Sequence, residues 1–392
     1  MKILTFSTLF PNSEKPGHGI FVETRLRHLV ASGQVESRVV APVPWFPSTN
    51  PRFGSYARFA KAPKREVRHG IDVTHPRYLV IPKIGMNLTP ALLAQAAKPA
   101  IARMIDEGFD FDLIDAHYFY PDGVAAAMLA RHFNKPLVIT ARGSDITLFP
   151  QFPLPRRMIT WAAKRADAVI TVCNALRDEV IELGVDAERV VSLRNGVDLE
   201  LFQPSARTPN AMFTLLAVGH LVPVKAQDLI IGALTLLPGV RLVLAGDGPD
   251  RAKLEALALE LKVSERVTFL GAVPQAQLRN HYGAADALVL SSSREGWANV
   301  LLEAMACGTP VVASRVYGTP EVVAAPEAGV LMRERTYQGV ADAVNALRAN
   351  YPDRGATRRY AERFSWDDTT AGQIRLFDRV LVARSKAVAC LT

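Results

Sequence analysis

The stretch Ser291-Ser-Ser-Arg-Glu295-Gly-Trp-Ala-Asn299-Val-Leu-Leu-Glu303-Ala-Met-Ala-Cys-Gly308-Thr-Pro-Val-Val-Ala313 sets two carboxylates, Glu295 and Glu303, eight residues apart. Ala287–Leu290 before it and Pro310–Ala313 at its end are short apolar runs bounded by turn residues, the pattern of buried strands. Asn299 is a candidate N-cap, which places Glu295 on a loop and Glu303 inside the following helix. The unit reads strand, loop, helix, turn, strand. In an open α/β sheet, ligands bind beyond the carboxyl ends of the strands, where Glu295 falls. Carboxylates accept hydrogen bonds from hydroxyls and free backbone N–H groups suit phosphate. Standing alone, the stretch would read first as a surface pair flanking a buried helix.

The rest of the chain supplies a setting. Its 392 residues exceed what one hydrophobic core usually supports, so two domains are expected. A composition of 49% hydrophobic and 21% charged residues is that of a soluble globular protein. No apolar run approaches the roughly 20 residues of a spanning helix. Met1–Pro11 has the start of a leader, but its apolar core is short and Pro11-Asn-Ser-Glu-Lys15 follows in place of a small-residue cleavage site. A buried first strand is therefore expected. The cysteines, Cys173, Cys307 and Cys390, have no metal-binding spacing and point to a reducing compartment, so a cytosolic chain is expected. A formal net charge of +8 favours an anionic partner without choosing among nucleic acid, an acidic membrane face and a phosphorylated substrate. No nucleic-acid-binding motif accompanies the charge.

Ile3–Ser7, Arg38–Val43, Phe111–Ala116, Pro136–Thr140 and Ala168–Val172 are strand candidates, each near a helical pattern, and this alternation predicts a parallel sheet flanked by helices. Arg194–Asp198 closes this half as a turn, and Gln203–Asn210 reads as a linker. The alternation restarts with Phe213–Val218, a helix over Ala226–Leu236, Arg241–Ala245, a helix from Asp250 and Val267–Leu270. The residues from Trp366 onward read as one helix. Between Pro42 and Gly70 the composition changes: Trp45, Phe46, Phe53, Tyr56 and Phe59 interleave with Arg52, Arg58, Lys61, Lys64, Arg65 and Arg68. Such a segment suits an anionic acceptor or membrane interface, and equally a long solvated loop.

Gly17-His-Gly19 and Gly246-Asp-Gly248 each follow a strand, where glycine lets backbone N–H groups approach an anion. Neither completes Gly-x-Gly-x-x-Gly, which counts against a nicotinamide dehydrogenase. Lys225, between a strand and an apolar helix, has the position of a diphosphate-binding point charge or of an ordinary exposed lysine. Asp110-Phe-Asp112 precedes a strand instead of ending one, so it reads as a solvated strand entry and no metal site is expected.

Glu295 to Ser314 resembles the Glu-x7-Glu signature of the retaining glycosyltransferases of family 4, which have the GT-B fold. Val218-Gly-His-Leu with Lys225, Gly246-Asp-Gly248, Tyr282-x-x-Ala-Asp286 and Gly318-Thr-Pro-Glu321 are similar to landmarks of that family. So are Asp115-Ala-His117, Arg142-Gly-Ser-Asp145 and Asn195-Gly-Val-Asp198. The resemblance covers nearly the whole chain. It implies two Rossmann-like domains facing a central cleft: an acceptor-side domain, residues 1–205, rejoined by a C-terminal helix, 366–392, and a donor-binding domain, 206–365. It further implies that Glu295 contacts the donor sugar, Glu303 the ribose and Lys225 the diphosphate, with His117 close to the transferring sugar. Gly19, His220, Gly246, Gly248, Gly296, Trp297, Ala298 and Asn299 complete the implied donor-binding set, and His117, Arg142, Lys225 and Glu295 the catalytic one.

The expected activity is retaining transfer of a hexose-type sugar from a UDP- or GDP-sugar to a glycan or lipid-linked acceptor. No cofactor or metal is expected, and no covalent nucleophile. Trp45, Phe46, Arg52, Arg58, Lys61, Lys64 and Arg65 form the candidate acceptor or membrane surface, with peripheral contact to an anionic membrane. Three departures stand out: Arg142 where the family often has histidine, His220 where arginine often accompanies the lysine, and Ala226 where glycine often follows it. The alternatives are an epimerase or phosphorylase on the same fold and a non-catalytic subunit that binds nucleotide sugars.

Overall fold

The computed structural model describes residues 1–80, 85–205 and 210–389. The chain divides into two compact units, Met1–Arg194 with Asp367–Thr392, and Asn195–Trp366.

The first unit is built on ten strands: β1 (Lys2–Phe6), β2 (Glu36–Val40), β3 (Val43–Pro44), β4 (Arg65–Arg68), β5 (Ile71–Thr74), β6 (Arg77–Tyr78), β7 (Leu113–His117), β8 (Leu137–Ala141), β9 (Ala168–Thr171) and β10 (Val190–Ser192). Eight form one sheet in the order β10-β9-β8-β7-β1-β2-β5-β4, and β3 pairs with β6. Every neighbour in the large sheet is parallel except β4, which pairs antiparallel with β5. Every residue of β7, β8 and β9 is buried. Burial on both faces is what a parallel sheet between helices demands. The edge strand β4, Arg-Glu-Val-Arg, is charged and partly exposed, which discourages pairing with another chain.

The second unit holds β11 (Phe213–Val218), β12 (Val240–Ala245), β13 (Val267–Gly271), β14 (Ala287–Leu290), β15 (Val311–Ala313) and β16 (Gly329–Leu331). They form one parallel sheet in the order β13-β12-β11-β14-β15-β16. Each unit has its own core. Leu26, Leu113, Val138 and Ile170 belong to the first, and Leu215, Leu242, Val289 and Val344 to the second. The helix Trp366–Ala389 contributes Ile374, Leu376, Phe377 and Val380 to the first core.

Four expectations shift. The two units divide at 194/195 and 366/367, whereas the family resemblance implies 205/206 and 365/366. Hydrogen bonds from Val197 N to the Phe364 carbonyl and from Arg358 to the Leu199 and Phe202 carbonyls tie the intervening segment to the second unit. The linker residues 206–209 lie outside the described residues, as does Cys390. Second, residues 42–70 are not a long loop: they contain β3, a 3-10 turn Pro51–Phe53, the helix Ser55–Lys61 and β4. Third, Asn299 is not a cap but the first residue of the helix Asn299–Ala306, because the Ala298 backbone occupies the cap position. Fourth, the helix expected over 226–236 is α-helical only over Gln227–Ala233 and closes with a tighter 3-10 turn, Leu234–Leu236.

Candidate active site

In the first unit, the carboxyl ends of β1, β7 and β8 deliver a set of buried polar side chains. His117, the last residue of β7, is 1% exposed. Its Nε2 lies 3.2 Å from Asp115 Oδ2 and its Nδ1 lies 2.7 Å from Arg142 Nη2. A guanidinium only donates, so Nδ1 is the acceptor and Nε2 carries the proton toward Asp115. Both ring nitrogens are therefore committed. Burial pushes the His117 pKa down to about 4; Asp115 opposes the shift and Arg142 adds to it. The imidazole is neutral at physiological pH.

Asp115 is held from behind. Gln373 Nε2, from the C-terminal helix, donates to Asp115 Oδ2 at 2.9 Å, and Gln373 Oε1 accepts from Arg25 Nε at 2.8 Å. Arg25 also donates to the Leu193 carbonyl at 3.1 Å. The donor-only guanidinium and the acceptor-only carboxylate fix which way the Gln373 amide points. Arg25 and Gln373 are 2% and 1% exposed, and the sequence analysis named neither. A signal was available: Arg25 lies on the same helical stripe as buried Val22, Leu26 and Leu29, and Gln373 on that of Phe377 and Val380. A polar residue on an apolar stripe needs a buried partner.

Arg142 stands over the Phe21 ring at 5.2 Å, and burial lowers its pKa to about 9. Asp145 locks the loop after β8 by accepting from the backbone N–H groups of Arg142, Gly143 and Phe119. Asp122, also missed, accepts from Thr8 N and Thr8 Oγ1 at 2.9 Å each. Burial raises its pKa to about 7 against the pull of those bonds.

In the second unit, Lys225 Nζ meets Glu295 Oε1 at 2.5 Å. The loops that carry them are joined. Ser291 Oγ donates to the Lys225 and Ala226 carbonyls, and Ser293 N donates to the Val224 carbonyl. Side-chain exposures of 27% and 12% leave the pair within reach of a ligand. Glu303, buried in the helix Asn299–Ala306, accepts from Tyr282 Oη at 2.7 Å and Gln275 Nε2 at 3.1 Å. Burial raises its pKa, and these two donors oppose the rise. Asn299 Oδ1 accepts from Asn195 Nδ2 at 3.2 Å. Gly296, Trp297 and Ala298 are buried, with the Trp297 ring 6.1 Å from Phe364. His220 is exposed, its Nδ1 3.3 Å from the Asp247 carbonyl.

The glycines have a packing role of their own. A Cβ on Gly246 would lie 1.8 Å from the Gly219 oxygen and one on Gly248 2.3 Å from the Leu221 oxygen, so the two loops touch backbone to backbone. Gly19, at φ 68°, would place a Cβ 2.3 Å from the Leu9 carbonyl. Ala226 holds a left-handed conformation, φ 49° and ψ 45°, the geometry that glycine adopts without strain.

The remaining candidates are spread. Arg65 lies on β4, 3.4 Å from Asp72 and 3.7 Å from Glu107, and Arg68 pairs with Glu23 at 2.6 Å. Phe46 packs on Phe53 and Tyr56, and Arg52 stacks over Phe53. Trp45 and Tyr56 stay 49% and 42% exposed, with Arg58, Lys61 and Lys64 exposed beside them in sequence. Asp110 accepts from Lys135 Nζ, and Asp112 from the Lys2 backbone, so both serve the strand entry. No helix among the described residues is long and apolar enough to cross a membrane.

Residues 200–364 match the family Glycosyl transferases group 1, and residues 17–201 match Glycosyltransferase Family 4. The chain is 33% identical over 325 residues to the D-inositol 3-phosphate glycosyltransferase of Mycobacterium tuberculosis, covering 75% of this chain and 67% of that protein. It is 29% identical over 358 residues to a Bacillus subtilis protein named as a teichuronic acid biosynthesis glycosyltransferase, covering 88% of each. Among solved structures, the sucrose-phosphate synthase of Thermosynechococcus elongatus superposes with a TM-score of 0.81 at 21% identity, covering 98% of this chain and 100% of that one. Anabaena HepE in complex with UDP-glucose superposes with a TM-score of 0.68 at 23% identity, with the same coverage. The chain belongs to the family 4 glycosyltransferases, enzymes of glycan biosynthesis with the GT-B fold.

Proposed function

We propose that the chain is a retaining glycosyltransferase that moves a hexose-type sugar from a nucleoside diphosphate sugar to an acceptor hydroxyl. The observation that carries this reading is the pairing of Lys225 with Glu295 above β11 and β14, beside the buried Glu303. The second unit holds the donor. Lys225 exchanges Glu295 for the diphosphate, Glu295 is released to the sugar hydroxyls, and Glu303 uses its remaining lone pairs for the ribose. UDP is the favoured nucleotide, since HepE, a neighbour in fold, is known in complex with UDP and with UDP-glucose.

As the bond from the anomeric carbon to the diphosphate oxygen breaks, negative charge grows on the leaving group, and Lys225 and backbone N–H groups stabilise it without a resident metal or cofactor. The acceptor oxygen forms the new bond on the same face, and its proton passes to the departing phosphate oxygen. This route suits a His117 whose ring nitrogens are both committed and an Arg142 that stays charged: neither has to act as a base. Arg142 supplies positive charge to the acceptor side of the reaction, and the neutral His117 ring fixes where its guanidinium points.

The relatives named for teichuronic acid and for inositol 3-phosphate both handle anionic molecules, and the net charge of +8 agrees with an anionic glycan or lipid-linked acceptor. The exposed Trp45 and Tyr56, with Arg58, Lys61 and Lys64, are the surface for it or for an anionic membrane face of the cytosol. The test is a thermal-shift panel of UDP- and GDP-sugars, because a ligand stabilises the fold that binds it. A donor that raises the melting temperature of the wild type but not of Lys225→Ala supports the reading. A shift that survives Lys225→Ala refutes the site.

A second reading, a subunit that binds nucleotide sugars without turnover, draws on the closed His117 network. Binding of donor with neither hydrolysis nor transfer across a broad acceptor panel would select it.

A further inference from the structure

A cavity of about 310 Å³ lies in the first unit between β4–β6 and the helix Thr89–Asp106, at residues distinct from the proposed donor and catalytic groups. Its charged lining is one-sided: Lys64, Arg65, Arg77 and Arg103 against the single carboxylate of Glu107. Arg65 is already shared between Asp72 and Glu107. Among the described residues, Lys64 and Arg103 have no ion-pair partner, and both are exposed at the cavity. His75 also lines it, but its ring bridges the Ala41 carbonyl and Glu66, so it has no nitrogen to offer.

Arg77 is the informative residue. Its Nη2 donates to the Ala62 carbonyl, while Nη1 is buried and has no hydrogen-bond partner among the described residues. Partial burial lowers the pKa of this guanidinium. A buried donor left unpaired is costly, and three cations held around one space repel one another. An anion in the cavity would relieve that repulsion. A phosphate fits best, because it offers several acceptor oxygens and matches the planar fork of arginine. The walls opposite, from Ala96, Ala100 and Met104, are apolar and suit the carbon skeleton to which a phosphate is esterified.

We propose that this cavity is a binding site for a phosphate ester, with Arg77 and Arg103 as its principal ligands and Lys64 at its mouth. Arg77 and Tyr78 are successive residues of β6, whose side chains face opposite ways. That the phosphate belongs to the sugar acceptor rests on the function proposed above; the site itself does not.

The test is titration of the full chain with inorganic phosphate and with glycerol 3-phosphate, read by calorimetry and by melting temperature. The variants are Arg103→Gln, an exposed substitution that leaves the fold intact, Arg77→Gln, and Lys225→Ala as a control for the diphosphate site. Glycerol 3-phosphate is expected to bind wild type and Lys225→Ala alike, with Kd rising about tenfold or more in Arg103→Gln. Sedimentation with phosphatidylcholine vesicles containing phosphatidic acid forms the second arm. Binding that falls in Arg103→Gln identifies a lipid headgroup as the source of the phosphate, whereas binding of the soluble ester alone identifies a soluble one. If neither ligand binds, or if binding is lost in Lys225→Ala and kept in both arginine variants, the proposal is overturned. The donor-induced thermal shift of Arg103→Gln reports separately on the transferase reading, which survives failure of the phosphate site.

Discussion

The polar cluster around His117 and the pair Lys225–Glu295 solve opposite problems. In the first unit, five side chains from Arg25 through Gln373, Asp115 and His117 to Arg142 form one chain of hydrogen bonds whose donors converge on Asp115 from both ends, and none is more than 9% exposed. In the second, Lys225 and Glu295 satisfy each other near solvent through one contact. A buried chain whose linking donors and acceptors are fixed by chemistry is rigid and costly to break. A single, partly exposed ion pair contributes little to stability and is easily exchanged for a ligand. The first cluster is therefore preorganised, and the second is poised to change partners.

Asp115→Asn is the strongest way to break this contrast. It leaves Arg25 and Arg142 as buried cations without their nearest counter-charge, and a loss of about 3 kcal/mol or more is expected in urea unfolding. Lys225→Ala should leave the unfolding midpoint nearly unchanged and lower kcat/KM by about 10²–10³-fold, the cost of one group that stabilises the leaving-group charge. If Lys225→Ala instead destabilises the fold as Asp115→Asn does, the contrast fails.

Titration sharpens it next. The folded pKa of His117 is about 4, below its ordinary value, so its contribution to stability is complete above pH 6.5 and is lost as the pH falls toward 4. Asp122 has the opposite sign. Its folded pKa of about 7 lies above its ordinary value, so its contribution is complete in acid and is lost as the pH rises through 7. Asp122→Asn should remove a decline on the order of 3 kcal/mol between pH 4 and 7 from the stability profile. A profile of unchanged shape would contradict a burial cost at Asp122 that outweighs its hydrogen bonds.

Gln373→Leu keeps the C-terminal helix apolar and removes both of its bonds, so a loss of about 1–3 kcal/mol is expected. If Gln373 also positions Asp115, the pKa of His117 measured by NMR should rise, since the carboxylate loses a competing donor. A Gln373 that only anchors the helix would leave it unmoved. The smallest effect belongs to Ala226→Gly. Relief of the left-handed strain outweighs the lost methyl, and a gain within about 1 kcal/mol in thermal unfolding is expected.

Much of this was legible in the sequence because it is local. Short apolar runs announce buried parallel strands, and β7, β8, β9 and β14 lie within two residues of their expected places. Glu295, Glu303 and Lys225 lie in compact motifs, and the contact of Lys225 with Glu295 spans two loops that follow neighbouring strands. What escaped is set by contacts distant in the chain. The two-residue strands β3 and β6 pair only with each other across more than thirty residues, too short for any periodicity to show. Asp122 gains its raised pKa from the enclosing ends of β1 and β7, which composition cannot display. Residues 42–70 looked like loop because charge and aromatics alternate there. In fact Arg65 and Arg68 lie on an edge strand, Arg58 and Lys61 on a short helix, and Phe46, Phe53 and Tyr56 pack on one another.

The return of the C-terminal helix to the first unit has a consequence for how the protein is made. Translation delivers residues 1–194 first, but Ile374, Phe377 and Val380 of that core emerge from the ribosome only after the whole of 195–366. The second unit is continuous in sequence and can finish folding while the first still lacks one wall, with Asp115 waiting for Gln373. The polar chain through Gln373 cannot close before that helix has emerged, so a nascent chain halted before residue 373 holds every residue of the second unit but lacks part of the first.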